Sequence, residues 1–283
     1  MAGTLYLVAT PIGNLEDISQ RALRTLREVD LVACEDTRHT RVLLNHFGIK
    51  TATVSYHEHN ERSRAEELCR DLEAGKSVAL VSDAGTPLIS DPGFRIVQAA
   101  IERRIPVVPI PGASALIAAL IASGLPSDQF FFAGFVPPRA NERRKKLEEL
   151  QTVPATIVFY EAPHRIAETL KAAAEVLGNR QAVLARELTK LHEEILRGGL
   201  DELAQRLSEK EKPRGEMVLI VSGAGPESAQ SGSSSRDLGE RVNELESTGL
   251  DAKTALKQAA REFGMKRAEA YRQLVAQKNR RSR

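Results

Sequence analysis

The chain has only two cysteines, Cys34 and Cys69, among 283 residues, too few for a disulfide framework or a cysteine-built zinc site. Both are expected as reduced thiols. Long apolar runs are missing as well. The most hydrophobic stretch, Ala113 to Ile121, falls short of the roughly 18–20 residues of a membrane span, and polar Ser123 and Asp128 follow it. No membrane is expected as a partner. The N-terminal MAGTLYLVATP has no basic region ahead of its apolar residues, which predicts no secretory signal and a cytoplasmic protein.

Several familiar site signatures are also absent. Gly75-Lys76-Ser77 resembles the end of a phosphate-binding loop, but Arg70 occupies the position of that motif's first glycine, and the segment precedes a strand instead of following one. No G-x-G-x-x-G follows any strand, and no G-x-S-x-G is present, which excludes a glycine-rich dinucleotide fingerprint and a nucleophile elbow. His57-Glu58-His59 has no third His or Cys close by, so it reads as a polar loop and no metal is expected.

An excess of one charge is missing only on average. Forty Lys and Arg face 38 Asp and Glu, for a net +2. From Met265 onward, seven Lys and Arg face Glu269 alone, a net +6, so the preceding 264 residues carry −4. A basic tail on an acidic body points to a polyanionic partner such as nucleic acid; a merely solvated terminus has the same composition.

What is present is a β/α rhythm. Thr4–Thr10, Leu31–Asp36, Ala52–Tyr56, Ser77–Asp83 and Pro106–Ile110 are short β-rich runs bounded by turn formers, with amphipathic stretches such as Ile18–Val29 and Arg62–Ala74 between them. This predicts a mostly parallel sheet covered on both faces. After the small-residue helix Ala113–Ala122, the runs Phe130–Val136, Ala155–Glu161, Ala182–Glu187, Glu193–Gly198 and Gly215–Val221 predict a second, mixed sheet. The expected organisation is α/β: two α/β domains over 1–117 and 118–222, with a ligand cleft between them. A Ser/Gly-rich linker follows over 223–235, then a basic helical module over 236–283. Within that module Arg236–Glu246, Asp251–Phe263 and Lys266–Gln277 read as helices, with Asp251 as an N-cap. Ala260, Gly264, Met265, Ala270 and Leu274 approximate helix-turn-helix spacing.

In such folds ligands bind beyond the carboxyl ends of strands. Five polar clusters converge there: Thr10–Asp17, Cys34–Arg38, Tyr56–Asn60, Ser82–Gly93 and Pro109–Ala115. Together with FYEAPHRI, ARELTK and PRGEMV, the strings ATPIGNLEDIS, CEDTR, SDAGTPLISDPG and PIPGASA resemble the class III S-adenosylmethionine-dependent methyltransferases, the tetrapyrrole methylase superfamily, over Thr4 to Val221. They are closest to its bacterial branch that 2′-O-methylates a cytidine ribose in 16S rRNA. The resemblance implies two methylase-type α/β domains, S-adenosylmethionine as cofactor, 16S rRNA or the small ribosomal subunit as partner, and a homodimer. It implies cofactor contacts at Pro11, Gly13, Asp83, Gly85, Thr86, Ile89, Ser114, Ala115, Tyr160, Leu188 and Gly215. The superfamily's Gly-Asp-Pro loop is Gly85-Thr86-Pro87 here, so the usual carboxylate is missing at that place.

A ribose hydroxyl needs a general base. Glu35, Asp36, His57, Glu58 and Lys190 are the rim candidates, although Glu35 and Asp36 sit equally well as a helix cap or as partners of Arg38. Arg38, Arg41, Arg143 and Arg144, with Arg139, Lys145, Lys146 and Arg165, are candidates to hold phosphates, as are Lys266, Arg267 and Arg272 in the tail. The Arg143–Lys146 run also reads as a solvated helix face. Two other readings stay open: a small-molecule, tetrapyrrole-type methylase, and a ligand-sensing nucleic-acid-binding regulator without enzymatic activity.

Overall fold

The computed structural model describes residues 2–208, 215–225, 242, 245–247, 250–262 and 270. The first sheet has five parallel strands: β1 (Leu5–Val8), β2 (Leu31–Cys34), β3 (Ala52–Ser55), β4 (Val78–Val81) and β5 (Val107–Ile110), in the order β3-β2-β4-β1-β5. All four residues of β4 are buried, because helices cover both faces. Val78 and Leu80 pack against α3 (Glu61–Glu73) and α4 (Phe94–Glu102), whereas Ala79 and Val81 face α1 (Gln20–Glu28) and α2 (Thr37–His46). That alternation is why β4 is uniformly apolar instead of half polar. Cys34 and Cys69 are free thiols buried in these two layers, and burial pushes both pKa values up.

Local chemistry sets the helix starts. The Ser19 hydroxyl accepts the Ala22 N–H at 3.1 Å to open α1, and Asp36 accepts the Arg38 N–H at 2.8 Å to open α2. The apolar helix α5 (Ala115–Ser123) directly follows the first sheet but packs on the second, burying Leu116, Ala119 and Leu120 against Val158, Val183 and Ile220. Gly124, left-handed at φ 78°, ends it.

The second sheet contains β6 (Phe130–Phe135), β7 (Thr156–Glu161), β8 (Gln181–Arg186), β9 (Glu194–Gly199) and β10 (Met217–Val221), in the order β6-β7-β10-β8-β9. Only β6 and β7 run parallel; the other neighbouring pairs are antiparallel. Helices α6 (Ala140–Glu149), α7 (Ile166–Leu177) and α8 (Leu200–Ser208) pack side by side. Both sheets belong to one compact unit, Met1–Leu150 with Ala155–Gly223. No helix among the described residues is long and apolar enough to cross a membrane.

A second unit comprises Gln151–Pro154 and Ala224–Arg283. Its helix Ala252–Glu262 starts at Asp251, whose carboxylate accepts the N–H groups of Lys253 and Thr254 at 3.0 and 3.1 Å. Ala255, Ala259, Ala260 and Ala270 share a small apolar cluster with Val242 and Leu245. Gly264, Met265 and Leu274, most of the expected linker, and much of the first and third tail helices lie outside the described residues.

The turn after β4 has a buried anchor. Glu61 Oε1 accepts the Tyr56 hydroxyl at 3.1 Å, the Gly93 N–H at 3.2 Å and the Arg95 N–H at 3.3 Å. Burial, then the Glu61 charge, pushes the Tyr56 pKa well up, so this phenol remains a donor. Removing the carboxylate strands those donors. Glu61→Ala is expected to lose roughly 1–3 kcal/mol in urea unfolding, with most of it recovered in Glu61→Gln; a wild-type midpoint for Glu61→Ala contradicts the anchor.

Candidate active site

The loops beyond β1, β4 and β5 are stitched together by backbone. Thr10 and Gly85 exchange N–H···O=C bonds at 2.9 and 3.0 Å, and the Thr10 hydroxyl donates to the Ser82 carbonyl at 3.1 Å. The Thr86 hydroxyl donates to the Ala113 carbonyl at 3.1 Å. Gly85 needs its left-handed φ of 87° for this pairing. Among the described residues, four of the five non-glycine residues with positive φ sit in two loops: Leu88 and Ser90 after β4, Glu187 and Thr189 after β8. Strain of this kind concentrates at functional sites.

Between these loops lies a cavity of about 400 Å³. Asp83, Gly85, Thr86, Ile89, Ser114, Ala115, Tyr160, Leu188 and Gly215, nine of the positions at which the family resemblance implies cofactor contacts, line it. Pro11 and Gly13 are not among its lining residues; Ile12, between them, is. Gly13 instead permits a close approach, since a Cβ there would overlap Lys190 and lie 2.9 Å from the Thr189 hydroxyl. Gly215 is required both by its φ of 89° and because a Cβ would overlap Glu187. Ser90, Asp91, Phe135, Glu161 and Glu216, which no motif or strand-end pattern singled out as site residues, also line the cavity. Asp91 belongs to the SDAGTPLISDPG string, so its position was visible and its exposure to the cavity was not.

Asp91 is the most perturbed acid on this wall. Burial, then the neighbouring charges of Glu35 and Asp83, push its pKa up to about 6, against a lowering hydrogen bond from Ser82. Asp83 accepts the Asp36 N–H at 3.3 Å. None of the five base candidates, Glu35, Asp36, His57, Glu58 and Lys190, lines the cavity. Asp36 is the α2 cap, and hydrogen bonds from Arg38 hold its carboxyl below the usual range. Glu35 and Glu58 are exposed. His57 keeps its backbone N–H on Asn60 and a buried Nδ1. Lys190 Nζ bonds Glu187 at 2.9 Å and Glu216 at 3.3 Å; burial pulls its pKa down, but the two carboxylates outweigh this and raise it.

The basic candidates divide. Arg38 is 91% exposed and pairs with Asp36, and Arg41 donates to Thr53. Arg144 pairs with Glu148 and Glu175 on the surface. Arg143 departs from the expected solvated face: it is only 5% exposed, bonded to Glu168 at 3.0 Å and to the Pro138 carbonyl. Its charge is used inside the fold. Lys266, Arg267 and Arg272 lie outside the described residues. No group of three or more His, Cys, Asp or Glu suited to a metal occurs among the described residues.

The cavity thus combines apolar walls, the carboxylates of Asp83 and Asp91, and the start of α5, where Ser114 makes no side-chain cap; Glu161 and Glu216 also line it, but Glu161 is taken up by Arg165 at 2.9 Å and Thr169 at 2.6 Å, and Glu216 pairs with Lys190. Such a site suits a compact molecule with cationic centres and a carboxylate for the helix terminus.

The family profile "Tetrapyrrole (Corrin/Porphyrin) Methylases" matches residues 4–204. A ribosomal RNA small subunit methyltransferase I from Halalkalibacterium halodurans is 49% identical over 271 residues, covering 95% of this chain and 93% of its own length. Its counterpart in Pseudomonas aeruginosa is 56% identical over 224 residues, 78% of this chain and 79% of that one. Among solved structures, a diphthine synthase superposes with TM-score 0.59 at 17% identity, over 81% of this chain and 95% of its own. The Thermus thermophilus uroporphyrin-III C-methyltransferase complexed with S-adenosylhomocysteine superposes with TM-score 0.53 at 22% identity, over 77% and 97%. These last two similarities establish the fold. From its profile match and its near-full-length relatives, the chain belongs to the ribosomal RNA small subunit methyltransferase I family of the tetrapyrrole methylases.

Proposed function

We propose that this protein transfers a methyl group from S-adenosylmethionine to the ribose 2′-hydroxyl of a cytidine in 16S rRNA of the small ribosomal subunit, with Asp91 as the general base. The observation that carries the reading is the acidic, apolar-walled cavity, in a chain half identical to enzymes named for small-subunit rRNA methylation. S-adenosylmethionine, when bound, would supply an electrophilic sulfonium methyl for the ribose oxygen, with S-adenosylhomocysteine as the leaving group.

The chain's own residues do the rest. With the cofactor bound, the first turn of α5 would hold its carboxylate, Gly85 and Ala115 would let the backbone approach closely, and Asp83 and Asp91 would favour its cationic groups. Apolar Ile12, Ile89 and Leu188 exclude water, so alignment of methyl and acceptor lowers the barrier. Asp91 accepts the hydroxyl proton as the oxygen attacks and passes it to solvent. A base must be deprotonated, and burial beside Glu35 and Asp83 keeps Asp91 basic while leaving it ionised near neutrality. Lys190, its proton held by two carboxylates, orients the loop after β8 instead.

Two features support the partners. The tail's net +6, including Lys266, Arg267 and Arg272, matches an RNA backbone, and an rRNA substrate supports action in the cytoplasm. A homodimer is supported by apolar exposure on α5 and on edge strand β6: Ile121 is 73% exposed, Ile117 lies one turn before it, and Phe130 and Phe131 are also open to solvent.

Labelled S-adenosylmethionine with assembled small subunits, followed by nucleoside mapping, is expected to place label on a ribose; label on a base, or on a tetrapyrrole substrate alone, overturns the reading. In the same assay the rate is expected to rise with pH through about 6 and then level. Asp91→Asn is expected to lose ~10²–10⁴ in rate. Glu35→Gln, which removes a negative neighbour, is expected to move the acid limb to lower pH. Truncation at Asp237 is expected to weaken RNA binding and flatten its salt dependence while sparing cofactor affinity; unchanged RNA affinity would remove the tail from the interface. Ile121→Glu is expected to shift a dimer towards monomer in sedimentation, and a monomeric wild-type protein would dispose of that surface.

A further inference from the structure

We infer that Phe135 is the stacking platform for an unstacked nucleobase of the RNA substrate, and that a bulge in β6 serves to aim it. The inference rests on the proposed rRNA methylation and goes beyond it by assigning the place where the base sits.

The strand register shows the bulge. Phe130, Phe131 and Phe132 pair in step with Thr156, Ile157 and Val158, but the next pair is Phe135 with Tyr160, so β6 advances three residues while β7 advances two. Gly134 has a left-handed φ of 68°, and a Cβ there would meet nothing within 4 Å. Glycine is therefore demanded by the backbone conformation and not by space, as at a bulge.

The extra residue changes which face Phe135 occupies. In a regular strand, residues three apart point to opposite faces. Phe132 and Phe135 nevertheless both meet the Tyr160 ring edge-on, with centroids 5.0 and 5.6 Å away. Without the bulge Phe135 would turn away from the cavity; with it, the ring joins the cavity wall. Phe132 is partly buried against the core of the second sheet, whereas Phe135 remains 55% exposed.

A large aromatic ring braced on one edge and open to the cavity is poorly explained as packing. It suits a flat partner. Bases extruded for chemistry stack on aromatic faces, which tolerate any base. Arg139, four residues on, is 81% exposed; its pair with Glu142 at 3.1 Å lies on the surface, where an adjoining phosphate can compete for the guanidinium. The adenine of the cofactor has the same flat chemistry, but a bound cofactor is mostly enclosed, whereas Phe135 both lines the cavity and is 55% exposed.

The chain contains no tryptophan, so Phe135→Trp installs a sole indole reporter. Its emission is expected to be unchanged by saturating S-adenosylhomocysteine and quenched when a cytidine-containing 16S rRNA fragment is then added. Phe135→Leu is expected to raise the RNA KM roughly ten-fold with cofactor affinity unchanged, and Phe135→Tyr to restore it. Quenching by S-adenosylhomocysteine alone would assign the ring to adenine and overturn the inference. So would wild-type RNA kinetics in Phe135→Leu. Failure of the wild-type protein to methylate any RNA would instead overturn the proposed function beneath it.

Discussion

The site depends on one constraint, the fixing of the loop after β4 at both of its ends. At its start, Gly85 exchanges backbone hydrogen bonds with Thr10 and so ties the loop to the end of β1. At its finish, the Gly93 N–H is held by Glu61, which is also bonded to buried Tyr56. Between these points the chain turns tightly enough to put Leu88 and Ser90 at positive φ. Such strain persists only where the surroundings over-determine the backbone, and here two independent anchors do so. The result is a rigid segment that carries Asp83 and Asp91 to the same wall.

That rigidity has an electrostatic consequence. Like charges of Asp83 and Glu35 near a partly desolvated Asp91 are unfavourable, and a mobile loop would relieve them by moving apart. Held in place, Asp91 responds by becoming more basic. The same wall favours a cationic cofactor, whose binding offsets part of the repulsion. Opposite it, the loop after β8 is ordered by a different device. Glu187, held below its usual pKa first by Lys190, accepts the Glu216 N–H at 3.0 Å, and Gly215 leaves room for it. The two sheets therefore bring separately braced walls to one cavity.

The sequence made much of this legible. The ten strands among the described residues coincide with β-rich runs, most plainly at Val78–Val81 and Met217–Val221, whose continuous apolar segments are what strands buried on both faces require. The loop glycines and small residues were legible through family resemblance, since Gly85, Ser114, Ala115 and Gly215 recur in its motifs and line the cavity. The base candidates were read from polar residues at strand ends, but polarity does not report burial. Asp36 proved to be a cap, whereas Asp91 gains its character from Glu35, 56 positions earlier, and from loop packing. Arg143 looked like one cation among several on a helix until Glu168, 25 residues on, claimed it. The turned face of Phe135 follows from a register shift that composition does not encode.

The central claim is that desolvation and two neighbouring carboxylates make Asp91 an unusually basic acid. The most direct measurement is a ¹³C carboxyl NMR titration of the intact protein, with Asp91 assigned by comparison with Asp91→Asn. The account predicts a midpoint near pH 6 that falls in Glu35→Gln. A midpoint at the ordinary aspartate value of about 3.9, unmoved by Glu35→Gln, would contradict it.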